Sequence, residues 1–379
     1  MVKTPMRIAI LQSTSPSSFS MKVYARNVAE GLRTIHPEWD IVSLSPMIPS
    51  PSLGGSVSNA IDKYYKRYWY YPLSFSQQTA DIFHVVDHSD GHLIPWLKRF
   101  GKTVVITCHD LINLVQPQMY SGLSLAPMIS LNTWRWSVQK MKQADHVITV
   151  SSHTANDVTD QLQIDPAFIT TVPNAVSSTF HPTTREEIAS LRQQLNLSPE
   201  TFCILNVGSN NPRKNVSTIL DVIRILKERQ QPVHFWKMGS DFSPQQYEFI
   251  ATYDLGEHVL YLGKPDDSTL INFYSAADVL LAPSLYEGFG LTVLEAMACG
   301  TPVVTSNVSS LPEVAGDAAI LVDPNDSRAM VLAVEGLIRD DRYRHHLIDQ
   351  GLKRVQKFTW INTAKQIAEV YEHVHQSTS

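Results

Sequence analysis

The stretch Glu287-Gly-Phe-Gly-Leu-Thr-Val-Leu-Glu295 decides how the rest of the chain is interpreted. Before it, Asp278-Val-Leu-Leu-Ala282 is an apolar run of strand length. Apolar side chains at helical spacing predict a helix from Leu291 to Cys299, which Gly300 and Pro302 end in the usual order for a helix stop. The predicted unit is therefore a strand, a loop, a glycine turn and a helix.

The glycine turn is suited to binding an anion. A helix start presents unpaired N–H groups and the positive end of the helix dipole. Gly288 and Gly290 carry no side chains, so a phosphate can approach those groups. Glu295 lies one turn into the helix and can accept hydrogen bonds from two neighbouring hydroxyls of the same ligand, while Glu287 faces whatever lies beyond the phosphate. The plainer alternative is a loop before a core helix, with both carboxylates in solvent.

The whole stretch resembles the E-x7-E signature of the large retaining glycosyltransferase family 4, whose members have the GT-B fold. The resemblance implies that Glu295 holds the donor ribose and that Glu287 faces the donor sugar in a catalytic role. It spans most of the chain and is strongest from Val207 to Pro302. Further donor contacts are implied along the turn and the helix start, at Gly288, Phe289, Gly290, Leu291 and Thr292.

Length and composition indicate a globular protein of two domains. The chain has 379 residues, of which 43% are hydrophobic and 18% charged. Its net charge of −5 gives no basic field for nucleic acid. Three widely spaced cysteines form no metal or disulfide pattern, and no apolar run is long enough for a signal peptide or a membrane span. We expect a cytoplasmic protein.

Strands alternate with helices in two successive series, which predicts parallel sheets with helical crossovers. The strands of the first series are predicted at 7–11, 40–44, 81–86, 103–107 and 146–150, and those of the second at 203–207, 233–238, 258–262, 278–282 and 302–305. We therefore expect an α/β protein of the GT-B kind, with two Rossmann-like doubly wound domains facing across a cleft. Residues 1–175 form the predicted acceptor-side domain and residues 176–356 the donor domain. The last helix, within 357–379, is expected to return to the first domain, as it does in GT-B proteins.

Ligands bind beyond the carboxyl ends of the strands in such sheets, so motifs directly after strands carry the most weight. The first strand is followed by residues 12–20, a loop without glycine, which disfavours an NAD enzyme. It also departs from family 4, whose members often have a Gly-Gly pair there.

Cys108-His109-Asp110 follows the fourth strand. A histidine at a strand end points into the predicted cleft, and the similarity of His-Asp-Leu to the family pattern implies that His109 contacts the donor sugar and supports transfer. Its ordinary pKa suits hydrogen bonding near neutral pH. Asp110 either orients the ring or binds an acceptor hydroxyl. His84, in the middle of a strand, is interpreted as a hydrogen-bonded core residue.

The loop Gly208-Ser-Asn-Asn-Pro-Arg-Lys-Asn215 precedes a predicted helix from Val216 to Arg229. Two cations at a helix start lie at the unfavourable end of the dipole, which a bound anion would correct. The alternative is two solvated cations. The loop resembles the Pro-Arg-Lys-Asn loop of family 4, which implies that Arg213 and Lys214 hold the donor diphosphate. Many members have an arginine where this chain has Ser209. At this position the chain can therefore offer the diphosphate only a hydroxyl.

Two further features bear on ligands. Gly263 and Lys264 follow the strand whose edge contacts the nucleotide base in family members. Those contacts are made largely by backbone groups, so side chains in the sequence do not distinguish uridine from guanosine. The aspartates Asp87, Asp90, Asp266 and Asp267 form no convincing metal site. We expect neither a metal nor a resident cofactor, the nucleotide sugar being a co-substrate.

Residues Lys63-Tyr-Tyr-Lys-Arg-Tyr-Trp-Tyr-Tyr71 alternate rings with cations. The first interpretation is partly buried aromatics whose neighbouring cations extend to solvent. The second is a surface for a saccharide acceptor or for peripheral contact with anionic lipid on the inner face of the membrane.

The resemblance to family 4 implies a metal-independent retaining hexosyltransferase of polysaccharide biosynthesis. UDP-glucose is the favoured donor, with GDP-mannose or another UDP-hexose as alternatives. The acceptor is expected to be a hydroxyl of a saccharide or a lipid-linked saccharide. A nucleotide-sugar epimerase on the same fold and a non-catalytic sugar-nucleotide-binding regulator remain as alternative functions.

Overall fold

The computed structural model of the protein describes residues 5–13, 19–45, 65–117 and 125–378. The chain divides into two compact units, with boundaries after Pro173 and before Trp360. Unit 1 combines the segment up to Pro173 with the segment from Trp360, and unit 2 runs from Asn174 to Thr359. The last helix therefore belongs with the first unit.

Unit 1 is built on a parallel sheet of six strands in the order β2-β1-β3-β4-β5-β6. The strands are β1 (Arg7–Leu11), β2 (Asp40–Leu44), β3 (Ile82–Val85), β4 (Val104–Cys108), β5 (His146–Thr149) and β6 (Ile169–Thr171). The α-helices are Phe19–Ile35, Tyr71–Ser74, Ile94–Arg99, Ile112–Val115, Leu125–Gln139, Ser152–Leu162 and Trp360–Thr378.

Both faces of this sheet are covered, because alternate side chains of one strand pack into different core layers. Ile8 and Ile10 pack with the first and last helices, while Ala9 and Leu11 pack into the opposite layer. The two helices approach closely at Gly31, where an added Cβ would lie 2.7 Å from Ala364 Cβ. Both layers exclude water, which accounts for the continuous apolar runs of the central strands.

Unit 2 repeats the architecture with the strand order β12-β11-β10-β7-β8-β9. Its strands are β7 (Phe202–Gly208), β8 (Val233–Gly239), β9 (Val259–Tyr261), β10 (Val279–Ala282), β11 (Val303–Ser306) and β12 (Ile320–Val322). Its α-helices are Arg185–Gln194, Val216–Glu228, Pro244–Thr252, Asp267–Ala276, Leu291–Ala298, Leu311–Ala315, Ser327–Arg339 and Asp341–Val355.

The predicted α/β class with two parallel sheets is confirmed, and the ten predicted strands are all present. Two further strands, β6 and β12, are not predicted from the sequence. Each has three residues, most of them with partly exposed side chains, and lies at a sheet edge. Within the described ranges, none of the helices is long and apolar enough to cross a membrane.

Candidate active site

The glycine turn of unit 2 has the predicted order of strand, loop, turn and helix. Gly290 precedes the helix Leu291–Ala298 with a φ of +115°, a conformation that glycine adopts at low cost. A Cβ at this position would also lie 2.9 Å from Leu311 Cδ2, so the turn needs glycine for packing as well. No side chain caps this helix start, so its N–H groups face the turn without a capping acceptor.

The carboxylate of Glu287 binds both cations of the loop after β7. Lys214 Nζ lies 2.6 Å from Glu287 Oε1, and Arg213 Nη1 lies 2.6 Å from Glu287 Oε2. Glu287 Oε1 also accepts a hydrogen bond from Ser284 Oγ at 2.8 Å. The loop and the turn are joined a second time through the main chain, because Leu285 N donates to Arg213 O at 2.7 Å.

This geometry corrects two expectations about the cations. The prediction required an external anion opposite Arg213 and Lys214, whereas the anion opposite them in the structure is Glu287. The two cations also lie in a 3-10 turn, Pro212–Lys214, and the α-helix begins only at Val216 after Asn215 with a φ of +55°. They are therefore held by side-chain pairing rather than placed on the helix dipole itself.

The electrostatics of Glu287 follow from this pairing. Burial of the side chain, which is 8% exposed, favours the neutral form. The nearby Lys214 and Arg213 cations and the hydrogen bonds outweigh burial and lower the pKa of Glu287 to about 2. Glu287 is thus a carboxylate across the physiological range, and it neutralises part of the positive charge of the loop.

Glu295 lies one turn into the helix and is partly buried. Its Oε2 accepts a hydrogen bond from Tyr274 Oη at 2.8 Å. Burial raises the pKa of this carboxyl, although the Tyr274 bond and the Lys214 cation oppose the shift. Because Tyr274 occupies one carboxylate oxygen, Oε1 is the oxygen better placed to receive ligand hydroxyls.

The remaining predicted donor-site residues all lie in unit 2. The side chain of Phe289 is buried and packs against the Phe358 ring at 5.9 Å, so this residue offers a ligand its main chain only. Gly263 has a φ of +72° and accepts a hydrogen bond from Gly239 N at 2.7 Å. Gly288 is buried, Thr292 is partly buried, and Leu291, Ser209 and Lys264 are exposed.

His109 lies in unit 1, directly after β4, and is buried. Its Nε2 donates to the Val86 carbonyl at 2.9 Å, which leaves Nδ1 as the acceptor nitrogen of the neutral ring. Burial, followed by the neighbouring His88, lowers the pKa of His109 to about 4. The Tyr24 ring packs edge-on against it at 4.8 Å. A neutral imidazole that can accept a hydrogen bond is therefore the form present at neutral pH.

The structure also gives the hydrogen-bond partners of Asp110 and His84. Asp110 accepts a hydrogen bond from Ile112 N at 3.3 Å, and the His109 ring is oriented by the Val86 carbonyl instead of by Asp110. His84 is fully buried and bonds Tyr371 Oη at 2.6 Å and Thr107 Oγ1 at 2.7 Å. His84 is thus a hydrogen-bonded core residue, as predicted.

The aromatic stretch is described from residue 65 onward, and Lys63 and Tyr64 lie outside the described residues. Arg67 is a partly buried anchor, with Nη2 bound to Asp90 Oδ1 at 2.8 Å. Trp69 is 55% exposed, while Tyr71 is buried. The stretch therefore combines a structural ion pair with exposed rings, which corrects the expectation of surface cations at the position of Arg67.

Three of the four aspartates weighed as metal ligands have structural partners, and Asp90 is the one that pairs with Arg67. Asp87 accepts from Ser13 Oγ at 2.6 Å and Asp266 caps a helix by accepting from Thr269 N at 2.8 Å. In the part of the chain that the structure describes, no group of three or more His, Cys, Asp or Glu side chains is arranged to hold a metal ion.

Sequence reasoning missed Tyr274 and Ser284, which complete the surroundings of the two glutamates. Ser284 lies three residues before Glu287, a spacing common to many loops, and Tyr274 lies on the helix before β10. Neither position carries a motif, so only the folded chain reveals these contacts.

Two parallel-sheet α/β units, with an E-x7-E turn in the second, define the GT-B class of glycosyltransferases. The family model described as glycosyl transferases group 1 matches residues 187–354, and the model described as glycosyltransferase family 4 matches residues 21–180. The chain belongs to glycosyltransferase family 4.

Similar proteins agree with this assignment. The chain is 29% identical over 315 residues to the serotype-specific mannosyltransferase WbdA of Escherichia coli, covering 81% of this chain and 37% of WbdA. It is 32% identical over 240 residues to O-antigen chain mannosyltransferase B of Escherichia coli, covering 62% of each chain. The chain thus spans between about a third and two thirds of the length of these relatives.

Sucrose-phosphate synthase of Thermosynechococcus elongatus shares the fold, with a TM-score of 0.76 and 22% identity over 98% of this chain and 100% of the synthase.

Proposed function

We propose that this chain is a retaining hexosyltransferase that moves a hexose from a nucleotide diphosphate sugar to a hydroxyl of a saccharide or lipid-linked saccharide. The observation that carries the proposal is the bond of one carboxylate, Glu287, to both Lys214 and Arg213 beside an uncapped helix start. The two cations and the N–H groups of the helix start are hydrogen-bond donors held close together, and a diphosphate is the ligand that matches them.

The chemistry follows from where charge develops. As the glycosidic bond breaks, the leaving diphosphate gains negative charge, and preorganised cations and N–H groups stabilise it. Lys214 and Arg213 supply the cations, and the N–H groups after Gly290 supply the dipole end. Glu287 holds both cations in position before the donor arrives, at the cost of competing with the diphosphate for them. In this mechanism the acceptor hydroxyl bonds to the anomeric carbon on the face of the leaving group while the bond to the diphosphate breaks, and its proton passes to the leaving diphosphate oxygen. Attack on that face retains the anomeric configuration.

His109 is proposed to contact the donor sugar from unit 1. Its ring is held by the Val86 carbonyl, so a sugar hydroxyl would donate to Nδ1. A ring whose pKa is about 4 stays uncharged and acts by hydrogen bonding rather than by proton transfer near pH 7.

The donor candidates are UDP-glucose, GDP-mannose and another UDP-hexose. UDP-glucose is the preference from the sequence, and GDP-mannose gains support from the names of the two mannosyltransferase relatives. Thermal shift with UDP-glucose, GDP-mannose and ADP-glucose distinguishes them, because a ligand at about 100 times its Kd adds ~2.7 kcal/mol of stability. Glu295→Ala serves as the control, since a shift that depends on the site must shrink in this variant. No shift with any of the three sugars would exclude UDP-glucose and GDP-mannose as donors, and no shift with UDP or GDP alone would contradict the proposal.

The alternative functions differ in what happens to the donor. A transferase without its acceptor releases free sugar slowly, an epimerase interconverts donors, and a regulator leaves the donor intact. Incubation of the bound nucleotide sugar, followed by chromatography of the products, therefore separates all three. Membership of a glycosyltransferase family favours the first outcome.

We infer that unit 1 also contacts anionic lipid, with the chain acting in the cytoplasm at the inner face of the membrane. Exposed rings and aliphatic side chains occur on two neighbouring elements of unit 1. They are Tyr65, Trp69, Tyr70 and Leu73 on one side and Met128, Ile129 and Trp136 on the helix Leu125–Gln139. The Tyr68 ring links the two elements, since it lies 6.1 Å from that of Trp136. Lys140, over the Trp136 ring at 5.3 Å, adds a cation suited to an anionic surface.

Sedimentation with anionic phospholipid vesicles at low salt tests this surface. Trp69→Ser and Trp136→Ser together should reduce binding, while Tyr343→Ser, which removes a ring of unit 2 that is 40% exposed, should not. Lack of vesicle binding by the unmodified protein would leave the exposed rings as a platform for a saccharide acceptor.

A further inference from the structure

Lys237 is a fully buried lysine in the parallel sheet of unit 2. It lies on β8, and 0% of its surface is exposed. Its Nζ donates to two backbone carbonyls, those of Gly208 and Met238, each at 2.9 Å. A long flexible cation is an unusual choice for this position, because burying an ammonium on neutral partners is costly.

The first of these carbonyls belongs to the loop that carries the two site cations. Gly208 O receives hydrogen bonds from Lys237 Nζ and from Ser240 N, the latter at 3.0 Å. On the other side of Gly208, the aliphatic chain of Lys214 packs against the main chain, with Cε 3.5 Å from the position of an added Cβ. Gly239 is equally constrained, since its Cβ would lie 2.2 Å from Gly208 O. Lys237 thus fixes the point from which the loop leaves the sheet.

The charge of Lys237 is poorly compensated in this state. Burial and, to a smaller extent, the nearby Lys214 cation lower the pKa of Lys237 to about 8, although Asp241 opposes the shift. Near pH 8 the ammonium and the neutral amine are therefore both populated. An additional anion in the loop would favour the ammonium.

We propose that Lys237 is a positioning residue of the donor site, which anchors the Gly208 carbonyl and holds a buried positive charge for the diphosphate of a nucleoside diphosphate. This inference rests on the proposed function, because it assumes that the diphosphate binds at Arg213 and Lys214. It assigns Lys237 no direct contact with the ligand. The inference also requires that ligand binding changes the protonation of the Lys237 side chain.

The direction of the linkage follows from the groups that face Lys237. Lys214 and Asp241 act on it directly, Glu287 acts through Lys214, and the neutral Asn206 and Tyr261 are its register neighbours on β7 and β9. A diphosphate that binds Lys214 brings negative charge to this group and raises the pKa of Lys237. Binding near pH 8.5 must then take up a proton, and affinity must fall as the pH rises above 8.

Calorimetric titration of UDP and GDP at pH 8.5, in two buffers of different ionisation enthalpy, measures this proton directly. Phosphate groups are fully ionised at that pH, so they contribute little. A rise of one unit in the pKa of Lys237 predicts an uptake of about half a proton by the unmodified protein. Lys237→Met should abolish the uptake and weaken nucleotide binding at pH 7. Lys353→Met, which alters an exposed lysine of unit 2, should change neither.

The possible results distinguish a failure of the proposed function from a failure of the inference about Lys237. If neither UDP nor GDP binds, the proposed function fails. If a nucleotide binds to the unmodified protein without proton uptake, or if Lys237→Met binds with unchanged uptake, the inference about Lys237 is overturned while the proposed function stands. Even if Lys237→Met does not fold, nucleotide binding by the unmodified protein without proton uptake overturns the inference.

Discussion

Lys214 Nζ and Glu287 Oε1 are 2.6 Å apart, and the same carboxylate holds Arg213 through its other oxygen. The chain therefore places its own anion where the diphosphate of a donor is proposed to bind. This has two consequences. The cations are held in one geometry before a ligand arrives, and the ligand must share them with Glu287 when it binds.

Neutralising Glu287 should separate affinity from turnover. In Glu287→Gln the cations lose their competing anion, so UDP should bind at least as tightly as to the unmodified protein and up to about fivefold more tightly, a gain of ~1 kcal/mol. Release of sugar from the donor should fall, because the cations are no longer fixed and the sugar loses its carboxylate neighbour. Calorimetry with UDP and a donor-hydrolysis assay measure the two effects. Weaker UDP binding in this variant would show that Glu287 supports the nucleotide itself.

Removing the Lys214 ammonium should weaken UDP but not uridine. A charged hydrogen bond is worth about 1.5–3 kcal/mol, so Lys214→Ala is expected to raise the Kd of UDP by ~10–150-fold. Arg213 still holds Glu287 in this variant, which limits the loss of stability. Lys227→Ala, which removes a half-buried lysine elsewhere in unit 2, is the matched control. An unchanged Kd for UDP would place the diphosphate elsewhere. Adding EDTA should alter neither value if no metal takes part.

Glu295→Ala should give the complementary pattern. Its carboxylate is proposed to accept from ribose hydroxyls, so the variant should lose affinity for uridine and UDP by similar factors, whereas Lys214→Ala affects UDP alone. The Tyr274 hydroxyl, which donates to Glu295 Oε2 at 2.8 Å, loses its acceptor in the variant. Tyr274→Phe controls for this loss, because it removes the same hydrogen bond and leaves the carboxylate. If uridine binds Glu295→Ala normally, the ribose assignment is wrong.

Much of this architecture is predictable from the sequence for a simple reason. In a sheet covered on both faces, the strands must be nearly continuous in apolar residues, and such runs are visible in the sequence at Val279–Ala282 and Val104–Cys108. The edge strands β6 and β12 escape this rule, because each has only three residues and most of their side chains are half-exposed.

The partners of the site residues could not be predicted in the same way. Glu287 and Lys214 are 73 positions apart, and periodicity within a segment says nothing about distances between segments. The two cations were therefore interpreted as lacking an anion. The burial of Lys237 could not be predicted, because a lysine in a strand usually lies on a solvent-exposed face. The strand β8 has no such face, since its side chains are mostly buried. The sequence likewise predicts Arg67 as a cation that extends to solvent, whereas Asp90 holds it in a partly buried ion pair.

His109→Ala should lower turnover and leave UDP affinity unchanged, since the proposed contact is with the sugar. Because the pKa of His109 is about 4, its neutral form is complete well below neutral pH. The ratio of activity between the unmodified protein and the variant should therefore be constant from pH 6 to 8. His345→Ala, an exposed histidine of unit 2, controls for effects of the substitution itself. A ratio that changes through pH 6.5 would show that His109 titrates during the reaction.

The pairing of Glu287 should also appear in the acid stability of the protein. The folded pKa of about 2 lies below the ordinary value of 4.5, so the carboxylate contributes stability above pH 4.5 that is lost as the pH falls toward 2. Urea unfolding of the unmodified protein and of Glu287→Gln at pH 7, 4.5 and 3.5 measures this contribution as the difference between the two. The difference should be constant between pH 7 and 5.5 and should shrink by about 1.4 kcal/mol per pH unit below 4.5. Other carboxylates titrate in both proteins and cancel in the comparison. A difference that persists unchanged at pH 3.5 would mean that Glu287 stabilises the fold through its shape and neutral hydrogen bonds, and that the ion pairs with Lys214 and Arg213 contribute nothing to folding.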